Sequence, residues 1–215
     1  MNLGILGTGD VGKTIGTRLI GLGHSVKMGS RTLDNPNAEA WVQAAGKLAS
    51  HGSYADCARF GEILFNCTSG SGTLSALGSI KNADLNHKVL IDVANPLDFS
   101  RGMPPTLTIC NTDSLGEQIQ REHKLLRVVK ALNTMNADVM VNPKLVPGDH
   151  DVFICGNDAD AKSQVTMILM EWFGWKSVID LGDISAARGM EMVLPLWISL
   201  SGNLDTSLFN FHIAK

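Results

Sequence analysis

Gly7, Gly9 and Gly12 stand in GxGxxG spacing directly behind the apolar run 2–6. Glycine backbone can approach a pyrophosphate closely. A helix starting there turns free N–H groups and the positive end of its dipole toward the anion. Gly7 suits the tight turn, Gly9 the close approach, and Gly12 the packing of helix on strand. Thr8, Asp10 and Val11 fill the positions between them and belong to the same expected contact surface. A second chemical group follows about twenty residues on, in Gly29-Ser30-Arg31-Thr32. No Asp or Glu stands there to hold a free ribose 2′-hydroxyl. A planar guanidinium can instead grip a 2′-phosphate bidentately, with Ser30 and Thr32 as added donors. The expected cofactor is therefore NADP rather than NAD. Lys27, earlier in the strand, is a lesser contributor.

No residue is expected to act as a catalytic acid or base. His24 and His87 fall at strand starts, the wrong edge of the sheet for chemistry. His51 and His123 lie near element ends, and His150 and His212 near loops or the tail. Lys130 is inside a strand. Hydride transfer between two stacked heterocycles asks little of side chains, because the cofactors carry the electronics and the protein supplies proximity, orientation and exclusion of water. Cys57, Cys67, Cys110 and Cys155 are widely spaced and form no ligand pattern, so reduced thiols and no metal site are expected.

These residues need a scaffold. The chain has 215 residues, 44% hydrophobic and 18% charged, enough for a sizeable core. A net charge of −3 gives no electrostatic case for nucleic acid, and no apolar run reaches bilayer length. The chain opens on its first strand, which leaves no room for a secretory leader, so a cytoplasmic location is expected. Helical period marks Val11, Ile15, Leu19 and Leu22. Further strands are expected at 24–28, 47–50, 62–67, 87–93, 126–132, 151–156 and 177–181. A capping box opens a helix at Ser53 and Asp56. Residues 98–112 are expected to be an irregular excursion. A single terminal helix is expected to kink at Pro195, with Arg188 and Glu191 free to pair at i,i+3. The fully apolar strands require burial on both faces. The fold class is thus α/β: a Rossmann-type, doubly wound, mostly parallel sheet with helices on both faces, plus a C-terminal helix. We expect one NADP-binding domain over 1–215, with 1–135 as the nucleotide unit and 136–215 completing the acceptor cleft.

Several longer stretches carry a resemblance: GILGTGDVGKTIGTRL, MGSR, the ANP loop, VVKALNTMNADVMVNP and DLGDISAARGMEMVLPLW. Together they resemble the coenzyme F420-dependent NADP oxidoreductases, a fold similar to the oxidoreductase domain of the STEAP-type metalloreductases. The resemblance implies NADP contacts at Gly7 through Gly12, Ser30 and Arg31. It implies a nicotinamide-side wall at Thr68, Ser69 and Ala94, beside Cys67. It implies an acceptor side at Asn95, Ala131, Asn133, Thr134 and Met135, with Pro96 stiffening the loop. The activity it implies is hydride transfer between NADPH and a small-molecule acceptor, a flavin or a deazaflavin such as F420. Two other readings stay open: a reductase of a small imine or carbonyl compound, similar to pyrroline-carboxylate reductases, and a non-catalytic NADP-binding sensor. A homodimer is expected, by resemblance and from the apolar final helix.

Overall fold

Asn2–Leu6 forms β1, and every residue after Asn2 is buried. Gly7 breaks it at φ +120°. Asp10–Gly21 is α1 and Ser25–Ser30 is β2, which starts one residue later and ends two residues later than the expected 24–28. The computed structural model describes residues 1–215. Along the chain follow α2 (Pro36–Ala45), β3 (Ala49–Ser53), α3 (Tyr54–Phe60), β4 (Ile63–Asn66), α4 (Gly70–Gly78), α5 (Asn82–Leu85) and β5 (Val89–Asp92). After a short hairpin, β6 (Leu97–Asp98) with β7 (Thr106–Leu107), come α6 (Leu115–Glu122), β8 (Arg127–Ala131), α7 (Ala137–Val141), β9 (Val152–Gly156) and α8 (Ala159–Met167). The chain closes with β10 (Val178–Asp180), α9 (Ala187–Met192) and α10 (Leu194–Leu204).

Eight strands form one sheet in the order β10-β9-β8-β5-β4-β1-β2-β3. From β3 to β8 all neighbours are parallel. β9 then runs antiparallel to β8, and β10 runs parallel to β9. This is the mostly parallel, Rossmann-type arrangement expected. Alternate residues separate two cores. Leu3, Ile5, Phe65, Ile91 and Val129 pack into one. Leu6, Leu64, Leu90 and Val128 pack into the other.

Several local expectations are corrected. The third strand lies at 49–53 rather than 47–50, because a turn occupies 47–48. The excursion at 98–112 is tied down by the β6–β7 hairpin. Sequence leaves the isomer at Pro96 open; the bond there is trans, and the cis bond lies at Met103–Pro104. The terminal helix is divided into a short turn at 184–186, α9 and α10, with Pro195 in the first turn of α10, where its missing N–H costs no helical bond.

Candidate cofactor cleft

The GxGxxG turn lies at the carboxyl edge of β1, between β2 and β4. A Cβ at Gly7 would sit 2.5 Å from the Cys67 carbonyl oxygen, and one at Gly12 would sit 2.6 Å from that of Gly7. At Gly9 a Cβ would meet nothing within 4 Å. Two of the glycines therefore serve the fold, and the third opens onto free space. That space is a cavity of about 280 Å³ lined by Gly7, Thr8, Gly9, Arg31, Cys67, Thr68 and Ser69 from the expected set. Tyr54, Gly72, Ser75, Ala76 and Ser79 complete it. The five additions have a sequence signal of sorts: four lie in the small-residue stretch 70–79 of α4 and its end. Tyr54 is the first residue behind the Ser53 cap.

Neither helix start at this cavity carries a side-chain cap, a feature shared by α5, α9 and α10. α2, α3, α6, α7 and α8 have their first N–H groups closed by side chains of Asn35, Ser53, Ser114, Asn136 and Asp158. α1 and α4 begin at Gly9 and Ser69 with no side-chain cap. Their amides are left for another acceptor, which is what a dinucleotide pyrophosphate requires. The residues present thus fit NADP. Arg31 is exposed at the cavity wall beside Tyr54. Ser30 is buried and gives its hydroxyl proton to the Thr32 carbonyl, and Thr32 is exposed but outside the cavity lining. Of the expected 2′-phosphate group, only Arg31 borders the cavity. Asp10 and Val11 lie in the first turn of α1, exposed and half-buried.

The acceptor group is assembled but largely covered. Asn95 Nδ2 donates to the Asn133 carbonyl at 2.9 Å, and Asn133 Nδ2 donates to Asn95 Oδ1 and to the Met190 carbonyl, each at 2.9 Å. Ala94, Pro96, Ala131, Asn133, Thr134 and Met135 are buried, and Asn95 is half-buried. None of them lines the cavity beside Arg31.

Sequence reasoning missed the polar cluster beneath these loops. Asn66, Asp92 and Lys130 are register partners on β4, β5 and β8, so they form one row across three buried strands. Lys130 Nζ lies 2.8 Å from Asp92 Oδ2 and 2.8 Å from Glu191 Oε1, with all three side chains essentially inaccessible. It also donates to the Ala94 carbonyl. Burial works against the Lys130 ammonium, but the two carboxylates outweigh it and its pKa lies above the ordinary lysine value. Glu191 in turn accepts the Leu115 and Gly116 amides at the start of α6, at 2.9 and 3.1 Å. The expected Arg188–Glu191 pair does not exist. Arg188 binds Glu117 instead, because α9 turns Glu191 inward onto Lys130 and Arg188 outward toward α6. The signal available was a polar residue at the same late position of three apolar strands.

No helix is long and apolar enough to cross a membrane. The four cysteines are free, and no group of three or more potential metal ligands is present.

Sheet order, glycine turn and uncapped helix ends define a Rossmann-type dinucleotide-binding protein. A family model described as "NADP oxidoreductase coenzyme F420-dependent" matches residues 2–96. The F420-dependent NADP reductase of Methanothermobacter marburgensis is 30% identical over 215 aligned residues, covering 94% of this chain and 92% of that one. A crystal structure of a candidate F420-dependent NADP reductase from Arthrobacter sp. FB24 is 48% identical, covers 100% of both chains and superposes with a TM-score of 0.95. Rat metalloreductase STEAP3 is 30% identical over 200 residues, 91% of this chain, and the match spans 37% of that protein's length. The chain belongs to the coenzyme F420-dependent NADP oxidoreductase family and is an NADP-dependent oxidoreductase.

Proposed function

We propose that this enzyme moves hydride between NADPH and a flat deazaflavin acceptor of the F420 type. The observation that carries the reading is the character of the cavity wall. Backbone, hydroxyls and one guanidinium dominate it, and no His, Lys or carboxylate is present. Its two titratable neutral groups, Tyr54 and Cys67, are both pushed up by burial, away from neutrality. Such a wall can bind and orient, but it holds no group poised to shuttle a proton, which the reduction of a carbonyl or imine would ask for. When bound, NADPH supplies the hydride. In this reading the amides of Thr8 to Gly12 hold the pyrophosphate, and Arg31 holds the 2′-phosphate. Thr68, Ser69 and Ala94 wall the reactive half, and Asn95, Asn133, Thr134 and Met135 fix the acceptor loop. Residues 1–215 act as one unit, with 136–215 completing the acceptor side. α10 buries only Leu194 and leaves Leu196 and Leu204 53% and 56% exposed, which supports pairing with a second copy.

The test is an NADPH-oxidation assay with F420, FMN, FAD, a ferric chelate and pyrroline carboxylate in parallel. Turnover with F420 well above the others supports the reading. Turnover with pyrroline carboxylate alone favours the imine reductase. Tight NADPH binding with no turnover on any acceptor favours the sensor.

A further inference from the structure

We propose that the buried charge cluster locks Thr68 as a pure hydrogen-bond acceptor toward the cleft. In that role it recognises an N–H or O–H donor on the nicotinamide-riboside half of the dinucleotide, never a phosphate oxygen. The proposal rests on the NADP reading of the cleft.

The direction of each hydrogen bond follows from the charges. The Asp92 carboxylate lies against the Lys130 ammonium on one oxygen and can only accept on the other. Asn66 must therefore turn its NH₂ to Asp92 Oδ1, which it does at 2.7 Å. Its carbonyl oxygen then points the other way and receives the Thr68 hydroxyl at 2.7 Å and the Thr68 amide at 3.3 Å. A threonine hydroxyl has one proton, and this bond uses it. Thr73 Oγ1 lies 2.8 Å from Thr68 Oγ1 and has only its own proton to offer in that contact, for which the Ser69 carbonyl at 3.1 Å competes. Thr68 is half-buried and lines the cavity, and with its one hydroxyl proton turned to Asn66 its oxygen has only lone pairs left for a ligand.

Place decides which part of a dinucleotide meets those lone pairs. Sheet order sets β2 and β4 on opposite sides of β1. Arg31 follows β2, Thr68 follows β4, and the glycine turn lies between them. With the 2′-phosphate at Arg31 and the pyrophosphate at the turn, the nicotinamide riboside falls on the Thr68 side. The loops after β4 and β5 close together there, since a Cβ at Gly70 would be 2.1 Å from the Asn95 carbonyl oxygen. At neutral pH the diester phosphates carry no proton to give. The carboxamide NH₂ and the ribose hydroxyls do.

The experiment measures dissociation constants by calorimetry for the wild type, Thr68→Val and Thr68→Ser. The probes are NADP⁺, its 3-acetylpyridine analogue, which lacks the carboxamide N–H, and adenosine 2′,5′-bisphosphate, which lacks the nicotinamide riboside. Thr68→Val is expected to weaken NADP⁺ by roughly three- to tenfold, the scale of one hydrogen bond. Thr68→Ser should retain wild-type affinity, and neither variant should change bisphosphate binding. If the acetylpyridine analogue is insensitive to Thr68→Val, the donor is the carboxamide. If it suffers the same loss as NADP⁺, the donor is a ribose hydroxyl. Either result supports the proposal. Wild-type NADP⁺ affinity in Thr68→Val overturns it, as does an equal loss of the bisphosphate. A wild-type protein that binds the bisphosphate but not NADP⁺ also overturns it. One that binds none of the three overturns the NADP reading first, and this inference with it.

Discussion

The two ends of the carboxyl edge are built from different materials. At β1, α1 and β2 the chain offers backbone: a glycine turn, two uncapped helix starts and a single guanidinium. At β5, β8 and α9 it offers long-range side-chain pairing around a buried ammonium and two carboxylates. The first end is organised to meet an anion from outside, so its donors are left open. The second is organised to hold itself still, so its donors and acceptors are mostly consumed internally. The difference predicts how each end fails.

The largest effect is expected at the charged end. Lys130→Met leaves Asp92 and Glu191 buried without their cation, which costs about 3–5 kcal/mol of stability in denaturant unfolding. Neutralising the whole group, in Asp92→Asn, Lys130→Met and Glu191→Gln together, should recover most of that loss, because buried ion pairs contribute little net stability over neutral replacements. A single variant that loses under about 1 kcal/mol would show that the cluster is not held as charges, and the contrast between the two ends would collapse.

At the glycine end the same measurement separates neighbouring residues. Gly12→Ala drives a methyl to 2.6 Å from the Gly7 carbonyl and should lose about 1–3 kcal/mol, a backbone clash with no side chain to yield. Gly9→Ala meets nothing within 4 Å, so stability should stay within about 0.5 kcal/mol of wild type. NADPH affinity should nevertheless drop in Gly9→Ala, since the open space there belongs to the ligand in the proposed reading. Equal stability of the two variants would mean that the turn is looser than its packing implies.

This contrast also explains what could be read from the chain. The glycine end is local: strand, turn, helix and Arg31 lie within thirty-one residues, and each has a residue-type signature. The Ser53–Asp56 capping box was legible for the same reason and is present. The charged end joins residues 66, 92, 130 and 191, which no periodicity links. Sheet register brings Asn66, Asp92 and Lys130 into one row, and only the packing of α9 brings in Glu191. Sequence spacing alone favoured the wrong partner, Arg188, because i,i+3 proximity was the sole rule available. The reversal of β9 was equally hidden, since an apolar strand reads the same in either direction. Ser30 was expected as a phosphate donor on residue type, but its burial turns the hydroxyl to Thr32 instead.

Arg31 is the exception at the backbone end, a side chain at the cavity wall. Arg31→Ala should weaken NADPH binding by roughly 1–3 kcal/mol and leave NADH nearly unchanged, read as two dissociation constants. Parallel loss of both cofactors would assign Arg31 to the adenosine or to the fold, with no reading of the 2′-phosphate.

The smallest effect concerns the contact of α1 and the turn behind it with the segment after α8. Arg18, in the last turn of α1, donates to the Trp172 carbonyl at 2.6 and 3.2 Å, and His24 lies against the Trp172 ring, tilted by 37° with centroids 4.3 Å apart. Burial and the positive chain terminus hold the His24 pKa below its ordinary 6.5, and burial does the same to His123, whose Nε2 has no partner. A group with a lowered folded pKa favours its neutral form in the fold. Its contribution is complete above pH 6.5 and is lost as the pH falls through the lower folded value. The thermal midpoint should therefore be flat from about pH 8 to 7 and decline modestly from about 6.5 to 5. A steeper loss should follow further down, as Asp113, Glu117 and Asp151, all held below their ordinary values by bonded partners, take up protons. His24→Gln should flatten the first decline if this contact titrates through the His24 ring. A decline unchanged in that variant but absent in His123→Gln would move the titration to the start of α5, where His123 faces Asn82, and the glycine end would then hold no pH-sensitive contact with the segment after α8.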